Sequence, residues 1–334
     1  MKNALIFGVT GQDGAYLTEF LLKKNYHVFG TFRRTSHKCF ERLEEMDTFE
    51  NITTIKADLA DQPSIQSAIR KSEPDEIYNL AAQSFVMASF QQPVLTADIT
   101  RLGVLRILDA IKENAPHAKF YQASSSEMYG NYPGIKDENS YFKPRSPYGA
   151  AKVFGHHIAV HYREAYNIFT SCGILFNHES PLRGLEFVTR KITETLARIK
   201  FKKTDKLYLG NIYAKRDWGF AGDYVEAMWL MLQQKQPDDY VIATGESHSV
   251  EEFLTLASEY AELGDWHKFV KIDESIKRPT DIDELVGDAS KVRKNLGWKP
   301  KVNFKELVKI MVDHDMNYYK ERMDPFDQIK SKHN

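Results

Sequence analysis

A chain of 334 residues, 42% of them hydrophobic, can bury a sizeable core, which excludes a disordered or fibrous protein. Its 45 Lys and Arg stand against 46 Asp and Glu for a net charge of -1, so bulk charge favours neither nucleic acid nor a membrane surface and a small partner fits better. Cys39 and Cys172 are too few for a disulfide framework, no Cys or His spacing reads as a metal site, and the apolar run ending at Gly8 has strand length, too short for a signal core or a span, so a cytoplasmic protein is expected.

Strand signals and amphipathic stretches alternate through the first half, which predicts an α/β fold: a Rossmann-type, doubly wound parallel sheet. The first strand, 3–7, runs straight into Gly8-Val9-Thr10-Gly11-Gln12-Asp13-Gly14 and then a helix over 15–24, with Tyr16, Leu17, Phe20, Leu21 and Leu22 on one stripe. At a strand-to-helix turn, Gly8, Gly11 and Gly14 let backbone N–H groups approach a pyrophosphate at the positive end of the helix. The second strand, 27–32, ends at Arg33-Arg34, where an NAD enzyme carries an acid for the ribose 2′-hydroxyl. Two guanidinium groups there suit a 2′-phosphate, so NADP is the expected cofactor. Asp58 and Leu59, after a strand over 52–56, are placed for an adenine contact. Leu80, Ala81 and Ala82, after a strand over 76–79, offer small walls to the cofactor.

A helix is predicted over 102–113, followed by a strand over 119–123 that leads into Ser124-Ser125-Ser126-Glu127. Tyr148 and Lys152 then fall one turn apart on a predicted helix, so a Lys ammonium can lower the phenol pKa and make Tyr148 a base, while a Ser hydroxyl from the strand end can hold the substrate oxygen that loses its proton. A strand over 170–175 completes a set of six, each apolar enough to be buried on both faces. Past 176 the pattern loosens into short strands (206–209, 240–243) and single helices (188–200, 223–233, 250–260), which predicts a smaller, mixed α/β substrate lobe. The expected division is a nucleotide-binding domain over 1–176, with returns near 214–245 and 285–310, and a second domain from 177–213, 246–284 and 311–334.

The order Gly8, Gly11, Gly14, Ser125, Tyr148, Lys152 resembles the extended short-chain dehydrogenase/reductase superfamily. Finer segments (33–36, 76–84, 144–152, 175–181, 187–191 and 214–219) are similar to the GDP-mannose 4,6-dehydratase family over roughly residues 3–316. That resemblance implies C4 oxidation by hydride transfer to NADP, loss of water across C5 and C6, and return of the hydride to C6. Tyr148 would take the C4 hydroxyl proton, Lys152 tune it and Ser125 hold the C4 oxygen. Glu127 would remove the C5 proton and protonate the departing hydroxyl, a role that a 4-epimerase or simple reductase does not need. The cofactor set implied is Gly8, Thr10, Gly11, Gln12, Asp13, Gly14, Arg33, Arg34, Thr35, Ser36, Asp58, Leu59, Leu80, Ala82, Gln83, Ser84, Leu95, Tyr148, Lys152, His178 and Arg183. The GDP-sugar would meet Ser84, Glu127, Asn177, Val188, Lys191, Gly210, Arg216, Arg278 and Asp281. A homo-oligomer, dimer or tetramer, is also implied.

The resemblance has departures. Phe85 and Phe220 stand in places of His, Leu182 in a place of Arg, Asp281 in a place of Glu, and the stretch 37–51 is short. These leave GDP-manno-heptose open as the substrate, and an NADP-dependent epimerase or reductase as a more distant alternative.

Overall fold

The computed structural model describes residues 1–276 and 278–322. The stretch 323–334, placed by sequence in the second lobe, lies outside the described residues, as does residue 277 within the same lobe. Six strands, β1 (Asn3–Phe7), β2 (His27–Phe32), β3 (Thr53–Lys56), β4 (Glu76–Asn79), β5 (Lys119–Ser125) and β6 (Thr170–Leu175), join Tyr240–Ile242 in one parallel sheet. The strand order is Tyr240–Ile242, β6, β5, β4, β1, β2, β3, so the chain changes direction across the sheet between β1 and β4. Beyond the carboxyl ends of those strands the crossover helices diverge and leave a crevice, the usual ligand position in such sheets.

Burial follows the strand period of two. Ala4 and Ile6 of β1 face one core with Leu17, Leu21, Met228 and Met231, while Leu5 and Phe7 face the other with Ile69, Ile107 and Ile111. The prediction that every strand is buried on both faces fails at β3. It is the edge strand, with a partner strand on one side only, and its Thr53 and Lys56 are exposed while Ile55 packs into the second core.

A third core gathers Ile192, Leu196, Phe253, Leu254, Leu307 and Met311 from helices Val188–Lys200, Val250–Tyr260 and Phe304–Glu321. Short strand pairs tie this lobe to the sheet: Asn177–Glu179 with Trp218–Phe220, and Lys215–Arg216 between His248–Ser249 and Glu284–Leu285. The helix Ala221–Leu232 and the segment holding Leu285, Val292 and Trp298 return to the first core.

Ionic contacts join the last described helix, Phe304–Glu321, to the start of the chain. His314 shares hydrogens with Glu45 (2.7 Å) and Asp315 (3.3 Å), and Asp315 also pairs with Arg190. The hydrogen bond with Asp315, then that with Glu45, lifts the His314 pKa to about 9. A raised folded-state pKa stabilises fully below the ordinary value of 6.5, and the contribution fades as pH rises through about 9. The His314→Gln variant is therefore expected to melt below the wild type in acid, with the gap closing above about pH 9, in thermal melts across pH.

Candidate active site

The first turn of helix α1 (Gln12–Lys23) begins without any side-chain cap at Gly11, so its leading amides have no partner inside the helix. Gly8 sits at φ +90°, and a Cβ there would lie 2.9 Å from the Ala81 backbone. A Cβ on Gly14 would lie 2.5 Å from the Gly8 carbonyl, so the helix can start this close to β1 only without one. The result is a cradle of free N–H groups at a positive helix end, a donor set that fits a pyrophosphate.

At the end of β5, Ser125 caps a single turn, Ser126–Met128, with the Glu127 N–H donating to Ser125 Oγ at 3.2 Å. This turn carries Glu127 off the end of the strand, so that it faces the crevice beside Ser125, the last residue of β5. Opposite them, helix Pro147–Tyr166 starts from Ser146, whose Oγ accepts the Gly149 N–H at 3.0 Å, with Pro147 at its first position. Tyr148 and Lys152 share one face of this helix, with Lys152 Nζ 5.7 Å from the Tyr148 ring centre.

The electrostatics correct the expected lowering of the Tyr148 phenol. Burial pushes its pKa up to about 12, and the hydrogen bond with Ser125 offsets this only in part. Lys152 donates at 2.7 Å to the Ala123 carbonyl, and burial draws its pKa down to about 8. Its charge is therefore weakened and committed to the end of β5 rather than to the phenol oxygen.

Glu127 is buried, with Arg278 Nη1 at 3.4 Å from its Oε1. Arg216, also buried, donates to the Ile282 and Lys215 carbonyls (2.8 Å each) and faces Asp281 at 3.4 Å. Asp281 in turn accepts from Asn211 at 3.1 Å. On the other wall, His178 lies 2.8 Å from Asp13 and stacks on Tyr224. Burial alone would raise the Asp13 pKa and lower that of His178, but their mutual charge and hydrogen bond win, holding Asp13 at about 2 and His178 above its usual range. Arg183 pairs with Glu179 at 3.2 Å and lies 3.6 Å from the Phe187 ring centre, and Phe187 meets Phe85 edge-on at 5.8 Å.

One cleft thus brings together Gly8, Gly11, Gln12, Asp13 and Gly14, then Leu80, Ala82 and Ser84, and the four residues Ser125, Glu127, Tyr148 and Lys152. Asn177, His178, Arg183 and Arg278 close it from the second lobe. Val86 lines it too, outside any of the motifs, as does Phe187, which opens the segment 187–191 without a site role expected for it. The remaining candidates stand off the cleft wall. Arg33, Arg34, Thr35 and Ser36 are exposed past the end of β2, and Leu95 is 43% exposed on Pro93–Thr96. Leu59 is buried in the second core, while Asp58 accepts the Ala60 N–H at 2.9 Å. Gln83 bonds Thr100 and Phe85, and the Thr10 carbonyl accepts from Arg42. Val188 and Lys191 lie on the first turn of their helix, and Gly210 follows Leu207–Leu209. No group of three or more His, Cys, Asp or Glu among the described residues could hold a metal ion.

Asp13→Asn removes the charge that opposes burial at His178. Its imidazole pKa is expected to fall below the usual histidine range, read from the His178 ring signals in an NMR titration.

Comparison with known proteins extends these observations. The GDP-mannose 4,6 dehydratase family model matches residues 5–311. GDP-mannose 4,6 dehydratase 1 of Arabidopsis thaliana is 53% identical over 329 residues, covering 96% of this chain and 91% of its own. The Homo sapiens GDP-mannose 4,6 dehydratase is 47% identical over 340 residues, covering 94% and 91%. Among solved structures, Thermus thermophilus UDP-glucose 4-epimerase in complex with NAD has a TM-score of 0.81 at 26% identity, covering 93% of this chain and 98% of its own.

Proposed function

The chain belongs to the GDP-mannose 4,6-dehydratase family, and from that membership we propose that it converts GDP-mannose to GDP-4-keto-6-deoxy-mannose with an NADP that is recycled in each turnover. The observation that carries this reading is Glu127, a carboxylate in the same cleft as Ser125, Tyr148 and Lys152. A 4-epimerase or simple reductase has no use for a base at C5, whereas elimination requires one.

When bound, NADP supplies the hydride acceptor for C4 and the donor for C6. Tyr148 rests as a neutral phenol and would become the base once the positive charge of bound NADP draws its pKa down; as phenolate it removes the C4 hydroxyl proton, and Ser125, already hydrogen-bonded to Tyr148, holds the C4 oxygen as it becomes a carbonyl. Lys152 stands one turn away from the phenol and fixes the end of β5 through the Ala123 carbonyl. The C4 ketone acidifies the C5 proton. Glu127 takes that proton and passes it to the C6 hydroxyl, which departs as water; with the hydride returned to C6, C5 receives the proton that Tyr148 took from the C4 hydroxyl, so carboxylate and phenol both end as they began. Arg278 holds the carboxylate in place.

The same reading gives the cofactor pyrophosphate to the amides of Gln12, Asp13 and Gly14 in the glycine loop of Gly8, Thr10 and Gly11, its 2′-phosphate to the exposed Arg33 and Arg34 with Thr35 and Ser36, and its adenine end to Asp58 and Leu59. Leu80, Ala82, Gln83, Ser84, Leu95, His178 and Arg183 complete that set. Asn177, Val188, Lys191, Gly210, Arg216, Arg278 and Asp281 are assigned to the GDP-sugar, whose diphosphate matches the three cationic side chains in charge. A cytoplasmic homo-oligomer, dimer or tetramer, belongs to the proposal; no helix among the described residues is long and apolar enough to cross a membrane. GDP-manno-heptose is a second reading, which rests on the departures at Phe85, Leu182 and Phe220 from the family's pattern.

Glu127→Gln is expected to bind NADPH as the wild type does and to lose about 10² or more in formation of the 4-keto-6-deoxy product. Mass spectrometry of the sugar nucleotide checks this, and near-normal turnover would remove Glu127 from its role.

A further inference from the structure

Arg42 lies on the short helix α2 (Glu41–Glu45), in a stretch to which neither the glycine loop nor the catalytic motif extends, and its guanidinium reaches into the frame of the site. Nη1 donates to the Thr10 carbonyl at 3.0 Å, and Nε donates to the Leu182 carbonyl at 2.7 Å. These two carbonyls belong to the two loops that flank the cofactor end of the cleft.

The first bond acts on the phosphate loop. Carbonyl and N–H point in opposite directions across a trans peptide, and the N–H of the Thr10–Gly11 peptide donates to the Gly8 carbonyl at 3.1 Å. With Arg42 on its carbonyl, that peptide plane is pinned at both ends. The plane leads into the first turn of α1, so its tilt sets where the amides of Gln12, Asp13 and Gly14 aim. The second bond pins the peptide that joins Leu182 to Arg183.

Three more bonds close a ring. The Leu182 N–H donates to Ser180 Oγ at 3.1 Å, Ser180 Oγ donates to Gln12 Oε1 at 2.8 Å, and Gln12 Nε2 donates to the His178 carbonyl at 3.1 Å. Arg42 completes the circuit from Thr10 to Leu182. Its own helix is anchored on the far side by Glu45 and His314.

We infer that Arg42 is a positioning residue that holds the phosphate loop and the Arg183 loop in register, so that the α1 amides and Arg183 close on the same dinucleotide pyrophosphate. This rests on the cofactor reading above. A planar guanidinium suits the task because its Nε and Nη1 donors diverge at a fixed angle, whereas a single ammonium can serve one carbonyl at a time.

The test compares Arg42→Met and Arg42→Lys with the wild type by fluorescence titration of NADPH and NADH, alongside melting temperatures without nucleotide and kcat and KM for GDP-mannose. Arg42→Met, which keeps the apolar stem, is expected to lose about tenfold or more in NADPH affinity, with Arg42→Lys between it and the wild type. The KM for GDP-mannose should change little at saturating NADP. A lower melting temperature with unchanged NADPH affinity would reduce Arg42 to a packing role and overturn the inference. A wild type that binds NADPH and leaves GDP-mannose intact would overturn the proposed activity while the affinity comparison stands. Binding of neither nucleotide by the wild type would overturn both.

Discussion

The site depends on how closely helix α1 can start against the end of β1. That approach is possible because Gly14 presents no Cβ to the Gly8 carbonyl and Gly8 none to the Ala81 backbone. With the helix seated there, its uncapped amides face the crevice between β1 and β4, and Asp13 in its first turn comes within reach of His178. Everything on the second wall is measured from that contact. Gln12 holds the His178 carbonyl and Ser180, and the loop from Ser180 carries Arg183 across the cleft.

Burial shapes the chemistry as strongly as charge does. The phenol of Tyr148 and the amine of Lys152 are both pushed toward their neutral forms by desolvation, in opposite pKa directions. With the protein's own groups alone, Tyr148 is therefore a neutral phenol, and it serves as a base only when a neighbouring positive charge offsets that burial. Glu127 differs, since it has Arg278 beside it and Arg216 within its field. The cleft therefore has a weakly charged end around C4 chemistry and a cation-rich end suited to a diphosphate.

Much of this was legible in the sequence. Strands β1 and Tyr240–Ile242 are apolar runs, and the glycine spacing, the Ser125 to Glu127 turn and the Tyr148 to Lys152 step are local patterns in which chemistry and geometry coincide. What sequence missed is long-range. Asp13 and His178 lie 165 residues apart, and Arg42 and Leu182 lie 140 apart, so no periodicity links them. The Lys152 bond to the Ala123 carbonyl could not be foreseen either, because side-chain spacing carries no information on a backbone oxygen of another element. The edge position of β3 depends on strand order, which apolar content alone does not encode.

The central claim is elimination with internal return of the hydride. It is tested most directly by incubating the wild-type protein with NADP and, separately, GDP-mannose and GDP-manno-heptose, while following sugar mass and NADPH absorbance together. The account predicts loss of one water from GDP-mannose with no net NADPH released. Loss of water from the heptose alone would move the substrate to the second reading. An unchanged mass for both sugars, or a stoichiometric rise in NADPH, would contradict the dehydratase mechanism.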